Sequence, residues 1–446
     1  MQRLRLFWPS FTVALAVAVT AQAQSTHARD AVRAKVAAES ASLRALYEHL
    51  HANPELSWME ANTSARMAKE LRDAGVDVTE RVGRRGVVGV LRNGAGPTVL
   101  LRSDMDALPV KEATGRPYAS TAVVKDMAGR DQPAMHACGH DVHMTSLVGA
   151  ARTLSALRAH WSGTVVFVFQ PAEEIVEGAR AMLADGLYTR FPKPDFALAL
   201  HTDPLLAAGS IGYGEGPFMS GVSSLDVLVR GVSGHGSAPH TAKDPVVLAA
   251  QIVVALQTIV SREVKPGTLA VVTVGTIRGG TKRNIIPEDV TLELTLRAFD
   301  TAVMEHLIAS IRRIVAGTAQ AAGIPEDRMP VVTVTPESAD VLVNDGPLTR
   351  QLAAAFTAWL GADRVQLRER IGAAEDFTYF GRTPERVPIT LWRLGVTAPD
   401  KLAESQRTGV PIPSNHNAGF APVPEPSITG GVTSLTAAVL ELLPRK

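Results

Sequence analysis

The chain is poor in the residues that usually announce a protein's class. It has one cysteine in 446 residues, Cys138, so no disulfide can form within it. Aromatic residues make up only 5%, too few to mark a stacking platform for an aryl ligand. The formal net charge is +1, and arginine is scattered rather than gathered into runs. No basic field exists, and nucleic acid is not an implied partner. There is no internal repeat. Past the N-terminus no segment supplies the ~18 uninterrupted apolar residues of a membrane span, so no stable membrane anchor is expected. What remains is an ordinary globular composition, 46% hydrophobic and 20% charged, long enough for two or three domains.

The N-terminus departs from this pattern. Arg3 and Arg5 precede an apolar run, Phe11 to Thr20, and Ala21-Gln22-Ala23 offers an A-x-A cleavage site. This reads as a secretory signal peptide over residues 1–23, with a mature chain starting near Gln24, periplasmic or secreted. A free thiol in an exported chain is exposed to oxidation, so Cys138 should be buried or have a use.

Its surroundings favour a use. Cys138 sits in Met135-His136-Ala137-Cys138-Gly139-His140-Asp141-Val142-His143. Thiolate and imidazole are the ligands that borderline-soft divalent metals prefer. Gly139 lets the chain turn so that Cys138 and His140 converge. Asp141 then stands at the expected N-cap of a helix from Val142 to Leu157.

Along the chain, residues 28–75 read as two helices parted by His51-Ala52-Asn53-Pro54-Glu55. His51, like His49, His160 and His306, reads as an ordinary helix or surface residue. Short β-rich runs follow at Gly86–Leu91 and Thr98–Leu101, the second leading into Asp104 and Asp106. Gly163–Gln170 (GTVVFVFQ) is a near-continuous apolar run, the pattern of a strand buried on both faces, and ends in Pro171-Ala172-Glu173-Glu174. Phe196–Leu200 is another such strand and ends at His201. From about Gly216 the order becomes β-α-β-β-α-β, a ferredoxin-like unit. The expectation is an α/β protein: a mostly parallel mixed sheet flanked by helices over 24–215 and 336–446, with an inserted lid or dimerisation domain at 216–335.

In open α/β sheets, ligands collect at the carboxyl ends of strands. There the sequence places Asp104 and Asp106, Cys138 and His140, Glu173 and Glu174, His201 and, late in the chain, His416. Taken singly, His201 would be a hydrogen-bonded core histidine, and either aspartate could cap a turn. Jointly they exceed the four ligands of a closed structural zinc site. A two-ion hydrolase centre, with one glutamate as base and one as ligand, uses the surplus.

The chain resembles the M20 family of metallopeptidases, in the amidohydrolase subfamily that includes hippurate hydrolases and auxin-conjugate hydrolases. The matching stretches are His51 to Ser57, Asp104 to Pro109, His136 to His143, Gln170 to Glu174, Gly234 to His240, Asn284 to Pro287, Glu375-Asp376-Phe377 and His416-Asn417. They span essentially the whole mature chain. The resemblance implies that Cys138, His140, Glu174, His201 and His416 hold two divalent ions, manganese or zinc. It makes Glu173 the general base and acid, and Asp106 a buttress behind the ligands. It also implies that His235 stabilises the oxyanion across a homodimer interface, and that Asn284 and Arg297 grip the carboxylate of a small anionic substrate. The implied reaction is hydrolysis of an N-acyl or N-aroyl amino acid. A dipeptidase or aminopeptidase of the same fold is the alternative, and a binding protein on this fold a more distant one. Ser237, Val142 and Ala374 depart from the family's usual residues, and several extra residues lie between Ser120 and Met135. These departures bear on specificity rather than on the presumed ligands.

Overall fold

A computed structural model describes the backbone of residues 10–445, with side chains from Thr26 onward. The leader expected over 1–23 lies outside the fully described residues. The first helix, Ser10–Ala52, leads into a second, Ala61–Asp73. Six strands of the main sheet follow in chain order: β1 (Asp77–Val82), β2 (Gly86–Asn93), β3 (Thr98–Asp104), β4 (Gly163–Gln170), β5 (Phe196–Ala207) and β6 (Ile211–Tyr213). The next four, β7 (Gly221–Arg230), β8 (Ala270–Gly279), β9 (Asp289–Ala298) and β10 (Val331–Ala339), belong to a separate sheet. The chain then returns with β11 (Val365–Leu367) and β12 (Ile389–Thr397).

The main sheet runs β1-β2-β4-β3-β5-β12-β6-β11. Its centre is parallel, β4 with β3, β3 with β5 and β5 with β12, while β1, β2 and β4 pair antiparallel. Strand β4 shows why this segment takes the middle. Its β-branched and aromatic side chains suit a pleated surface, and every residue from Val165 to Gln170 is buried. Val165, Phe167 and Phe169 face one core with Leu43, Met67, Leu147 and Leu435. Val166 and Val168 face another with Met182, Phe377 and Leu391. The parallel centre has a functional consequence: the carboxyl ends of β3, β4, β5 and β12 share one edge.

The second sheet is antiparallel, ordered β8-β9-β7-β10. Helices Pro245–Thr258 and Thr301–Ala321 pack on it through Leu248, Ile252, Leu256, Leu307, Ile311 and Val315, giving this unit its own core. Each helix starts at an aspartate, Asp244 or Asp300, whose carboxylate accepts two backbone N–H groups of the first turn. The segment Pro245–Glu263 is long and apolar enough on hydropathy to cross a membrane. Here it uses one side as a core face and leaves Val246, Val247 and Val254 exposed.

Three local expectations change. The helix after Cys138 begins at His140, with Gly139 at the cap, so Asp141 lies inside the first turn. Strand β5 continues past His201 to Ala207, so His201 projects from within a strand. His51 is not a surface residue: it is 1% exposed. The extra residues after Ser120 form a small hairpin, Val123–Lys125 against Asp131–Pro133.

Candidate metal centre and active site

The Cys138–His140 turn is a backbone problem solved by glycine. Gly139 has φ +86°, and a Cβ there would lie 2.7 Å from Thr202 Cγ2, so no larger residue fits without movement. The Thr202 hydroxyl donates to the Cys138 carbonyl at 2.6 Å, and the Asn415 side-chain amide donates to the same oxygen at 3.1 Å.

With the loop pinned, its side chains converge with three others. His140 Nδ1 lies 2.7 Å from the Asp106 carbonyl oxygen, so Nδ1 donates there and Nε2 is the ring atom left for a metal. That Nε2 is buried with no hydrogen-bond partner among the described residues. It faces Glu174 Oε1 at 3.7 Å and Glu173 Oε2 at 3.9 Å. His201 Nδ1 is occupied likewise, by the Thr202 carbonyl at 2.9 Å, which turns Nε2 toward Cys138 Sγ at 3.4 Å. His416 has φ +67°, a strained setting for a non-glycine residue. Its backbone N–H donates to the Ala137 carbonyl at 2.8 Å, and its Nε2 comes within 3.4 Å of Glu174 Oε2.

The five expected ligands therefore form two overlapping groups, Cys138-His140-His201 and Cys138-Glu174-His416, with ligand atoms within 4.8 Å of one another in each. The donor set fits divalent metal. Burial pushes the Cys138 thiol well up, and the neighbouring carboxylates push it further. Burial also raises Glu174 to about 8, aided by Asp106 and Asp104. A cation would hold thiolate and carboxylate charged together in such a place, and the orphaned His140 Nε2 and Glu174 Oε1 are the atoms it would satisfy.

Behind the ligands, the Asp106 carboxylate accepts from the backbone N–H of Glu173 at 3.1 Å and of Glu174 at 3.0 Å. Ser57 Oγ donates to it at 2.6 Å. Glu173 is 7% exposed. Burial holds its carboxyl well above the usual range, with Glu375, Glu174 and Asp376 adding to the effect. Ala172 and Val176, on either side of the pair, both have positive φ, so this loop is strained at the site. His143 is committed elsewhere: Nδ1 meets Asp104 at 2.6 Å and Nε2 accepts from the Thr202 amide at 2.8 Å.

One group was missed in the sequence. Arg102, fully buried in β3, donates to Asp104 at 2.7 Å, Glu375 at 2.8 Å, Asp376 at 3.0 Å and Gln170 at 3.0 Å. It holds Glu375 beside Glu173. The available signal was an arginine inside the otherwise apolar run Thr98–Leu101 and its continuation.

The centre opens onto a cavity of about 580 Å³ lined by Cys138, Glu173, Glu174, His201 and His416, with Arg297 from the second sheet. His235 and Asn284 do not line it. They lie side by side on an exposed ribbon, Gly234–His235 against Ile285–Ile286, where Gly236 N–H donates to the Asn284 carbonyl at 2.9 Å. His235 Nδ1 accepts from the Ser237 backbone N–H at 3.1 Å, leaving Nε2 to carry the ring proton.

Comparison with known proteins agrees with this geometry. Residues 100–409 match the model of Peptidase family M20/M25/M40. The chain belongs to that family. It is accordingly a metal-dependent hydrolase. The hippurate hydrolase of Campylobacter jejuni is 37% identical over 333 residues, 74% of this chain and 82% of that protein. An IAA-amino acid hydrolase of Arabidopsis thaliana is 35% identical over 337 residues, covering 75% and 73%. Among solved structures, a dinuclear metal-binding M20 peptidase from Bacillus subtilis superposes with TM-score 0.72 at 28% identity, covering 91% of this chain and 99% of that one. The α/β fold expected from the sequence is the fold of these family members.

Proposed function

We propose that this M20 protein is a two-ion amidohydrolase that cleaves the amide of N-acyl or N-aroyl amino acids and releases the free amino acid. The observation that carries it is the convergence of Cys138, His140, Glu174, His201 and His416 beside a buried Glu173, in a cavity that also holds Arg297. The names of the Campylobacter and Arabidopsis relatives, both hydrolases of amino-acid conjugates, support the substrate class.

The five ligands would hold two divalent ions, manganese or zinc, which when bound polarise a carbonyl and acidify water. Glu173 takes the water proton and returns it to the leaving nitrogen, a task for a buried carboxyl whose proton affinity its surroundings raise. Asp106 holds Glu173 and Glu174 in place through their backbone amides. Arg297 takes the substrate carboxylate; Asn284, on the exposed ribbon beside His235, would add a second donor only from another copy of the chain.

His235 would donate Nε2–H to the tetrahedral oxyanion. It lies on the exposed ribbon rather than in its own cavity, so it would act on the site of a second copy. Two features favour such a homodimer. Strand β8 is an edge of its sheet among the described residues, and its Val271 and Ile277 are exposed, as is Val254 on a helix packed against that sheet. The same reading makes the enzyme exported, on the strength of the leader at 1–23; the mature mass would show a start near Gln24.

A dipeptidase reading has one observation in its favour, the acidic Glu337 among the cavity-lining residues, which could meet a free ammonium group. One experiment separates the two. Metal content is counted for wild type and Glu173→Ala, and both are assayed on N-acyl amino acids and dipeptides. We expect two ions per chain in each and N-acyl substrates turned over by wild type. Turnover should fall at least about 10²- to 10⁴-fold in the variant. Preference for dipeptides, or one tightly held ion with no hydrolysis, would overturn the proposal.

A further inference from the structure

The cavity contains a second guanidinium that this mechanism leaves without a task. Arg393 sits in β12 in register with His201 of β5 and is among the cavity-lining residues. It is 5% exposed, in a strand whose residues from Ile389 to Val396 are all buried. Its Nη1 donates to Asp203 Oδ2 at 3.2 Å, its Nη2 donates to the Glu369 carbonyl, and the Phe218 ring lies 4.7 Å from its Cζ. Arginine has five N–H donors, and Nε here is buried with no partner among the described residues. Charge is also left over. Asp203 is shared with Arg368, whose Nη2 lies 3.9 Å away, so two guanidinium groups face one carboxylate. A buried charge of this kind is costly unless fully paired. Nothing in the ligand set or in the proton path of Glu173 requires it.

We propose that Arg393, backed by Arg368, forms a subsite for a second carboxylate on the substrate, so that preferred substrates are dianionic N-acyl amino acids. This rests on the amidohydrolase reading and deepens it. The second carboxylate could be carried by a dicarboxylic acyl group or by an acidic amino-acid side chain; a planar guanidinium recognises both alike. Arg297 is left for the α-carboxylate.

The test uses the metal-loaded enzyme and two matched pairs: N-succinyl-alanine against N-acetyl-alanine, and N-benzoyl-glutamate against N-benzoyl-alanine. In wild type the dianionic member of one pair should have the higher kcat/KM by about 10- to 100-fold, expressed in KM. The pair that shows it identifies which end carries the charge. Arg393→Gln should abolish that ratio and Arg393→Lys should keep part of it. Should Arg393→Gln fail to fold, Arg368→Gln should lower the ratio, and glutarate should inhibit wild type more strongly than butyrate. Equal kcat/KM within both pairs in wild type overturns the subsite. So does a ratio that survives Arg393→Gln, or a variant that slows both members equally, as a purely structural arginine would. Absence of hydrolysis of all four compounds, with dipeptides cleaved, would instead remove the amidohydrolase reading itself.

Discussion

Asp106 bears on four neighbours at once: its carbonyl faces His140 Nδ1, and its carboxylate accepts from the Ser57 hydroxyl and from the Glu173 and Glu174 amides. Replacing it with asparagine keeps the shape but turns one acceptor into a donor facing an N–H. Asp106→Asn should weaken metal binding by about 10- to 100-fold, measured by competition with a chromogenic chelator, with the circular dichroism spectrum unchanged. At this scale the sequence was most legible where residue type is itself the chemistry. A lone cysteine flanked by histidines says metal before any fold is known. It was least legible at Arg102, whose partners Glu375 and Asp376 lie more than 270 positions away. No local pattern reports such a pairing.

Among the elements, His51 joins three segments. It lies in the last turn of the first helix, bonds Asp141 in the helix after the Cys138 loop at 2.7 Å, and bonds Glu112 in the intervening loop at 3.1 Å. Burial alone would depress its pKa, but the bonds to Asp141 and Glu112 outweigh it and raise it to about 10. An unfolded histidine titrates near 6.5. The charged pairings therefore stabilise the fold fully below about pH 6.5, and that stability is lost as pH climbs through 10. Urea midpoints measured from pH 6 to 10 should fall more for wild type than for His51→Gln. At pH 6 the variant should be less stable by about 3–5 kcal/mol, the cost of breaking a buried pair. The helix and strand periodicities located these segments well. They could not show that a helix-end histidine is inside, because burial of that residue depends on a loop folding over it.

For the whole molecule, the candidate ligands run from residue 138 to 416 and a bound ion would tie distant parts of the chain together, so metal should stabilise the fold. Chelation should lower the melting temperature by calorimetry, with about 2.7 kcal/mol lost per site for free ion at 100 times its dissociation constant. An unchanged transition would mean that the site is not metal-loaded. The second sheet carries the assembly prediction. If the proposed dimer pairs through β8, Ile277→Lys should leave the protein monomeric by light scattering while wild type runs as a dimer, because a charge on an edge strand blocks further pairing. If His235 acts across that interface, mixed dimers of Glu173→Ala and His235→Ala should regain activity, since one of their two sites is complete. No recovery on mixing would place His235 outside the reaction.

The family, the α/β class and the candidate ligand types could be read from the sequence alone. They reside in short segments whose chemistry and periodicity do not depend on distant neighbours. Only the tertiary structure decided what stands beside what. It put His235 outside its own cavity, tied Glu375 to Arg102 and brought an underpaired Arg393 to the wall beside His201. The physical reason is that burial, charge pairing and orphaned donors are properties of a packed neighbourhood, formed when strands far apart in the chain lie side by side.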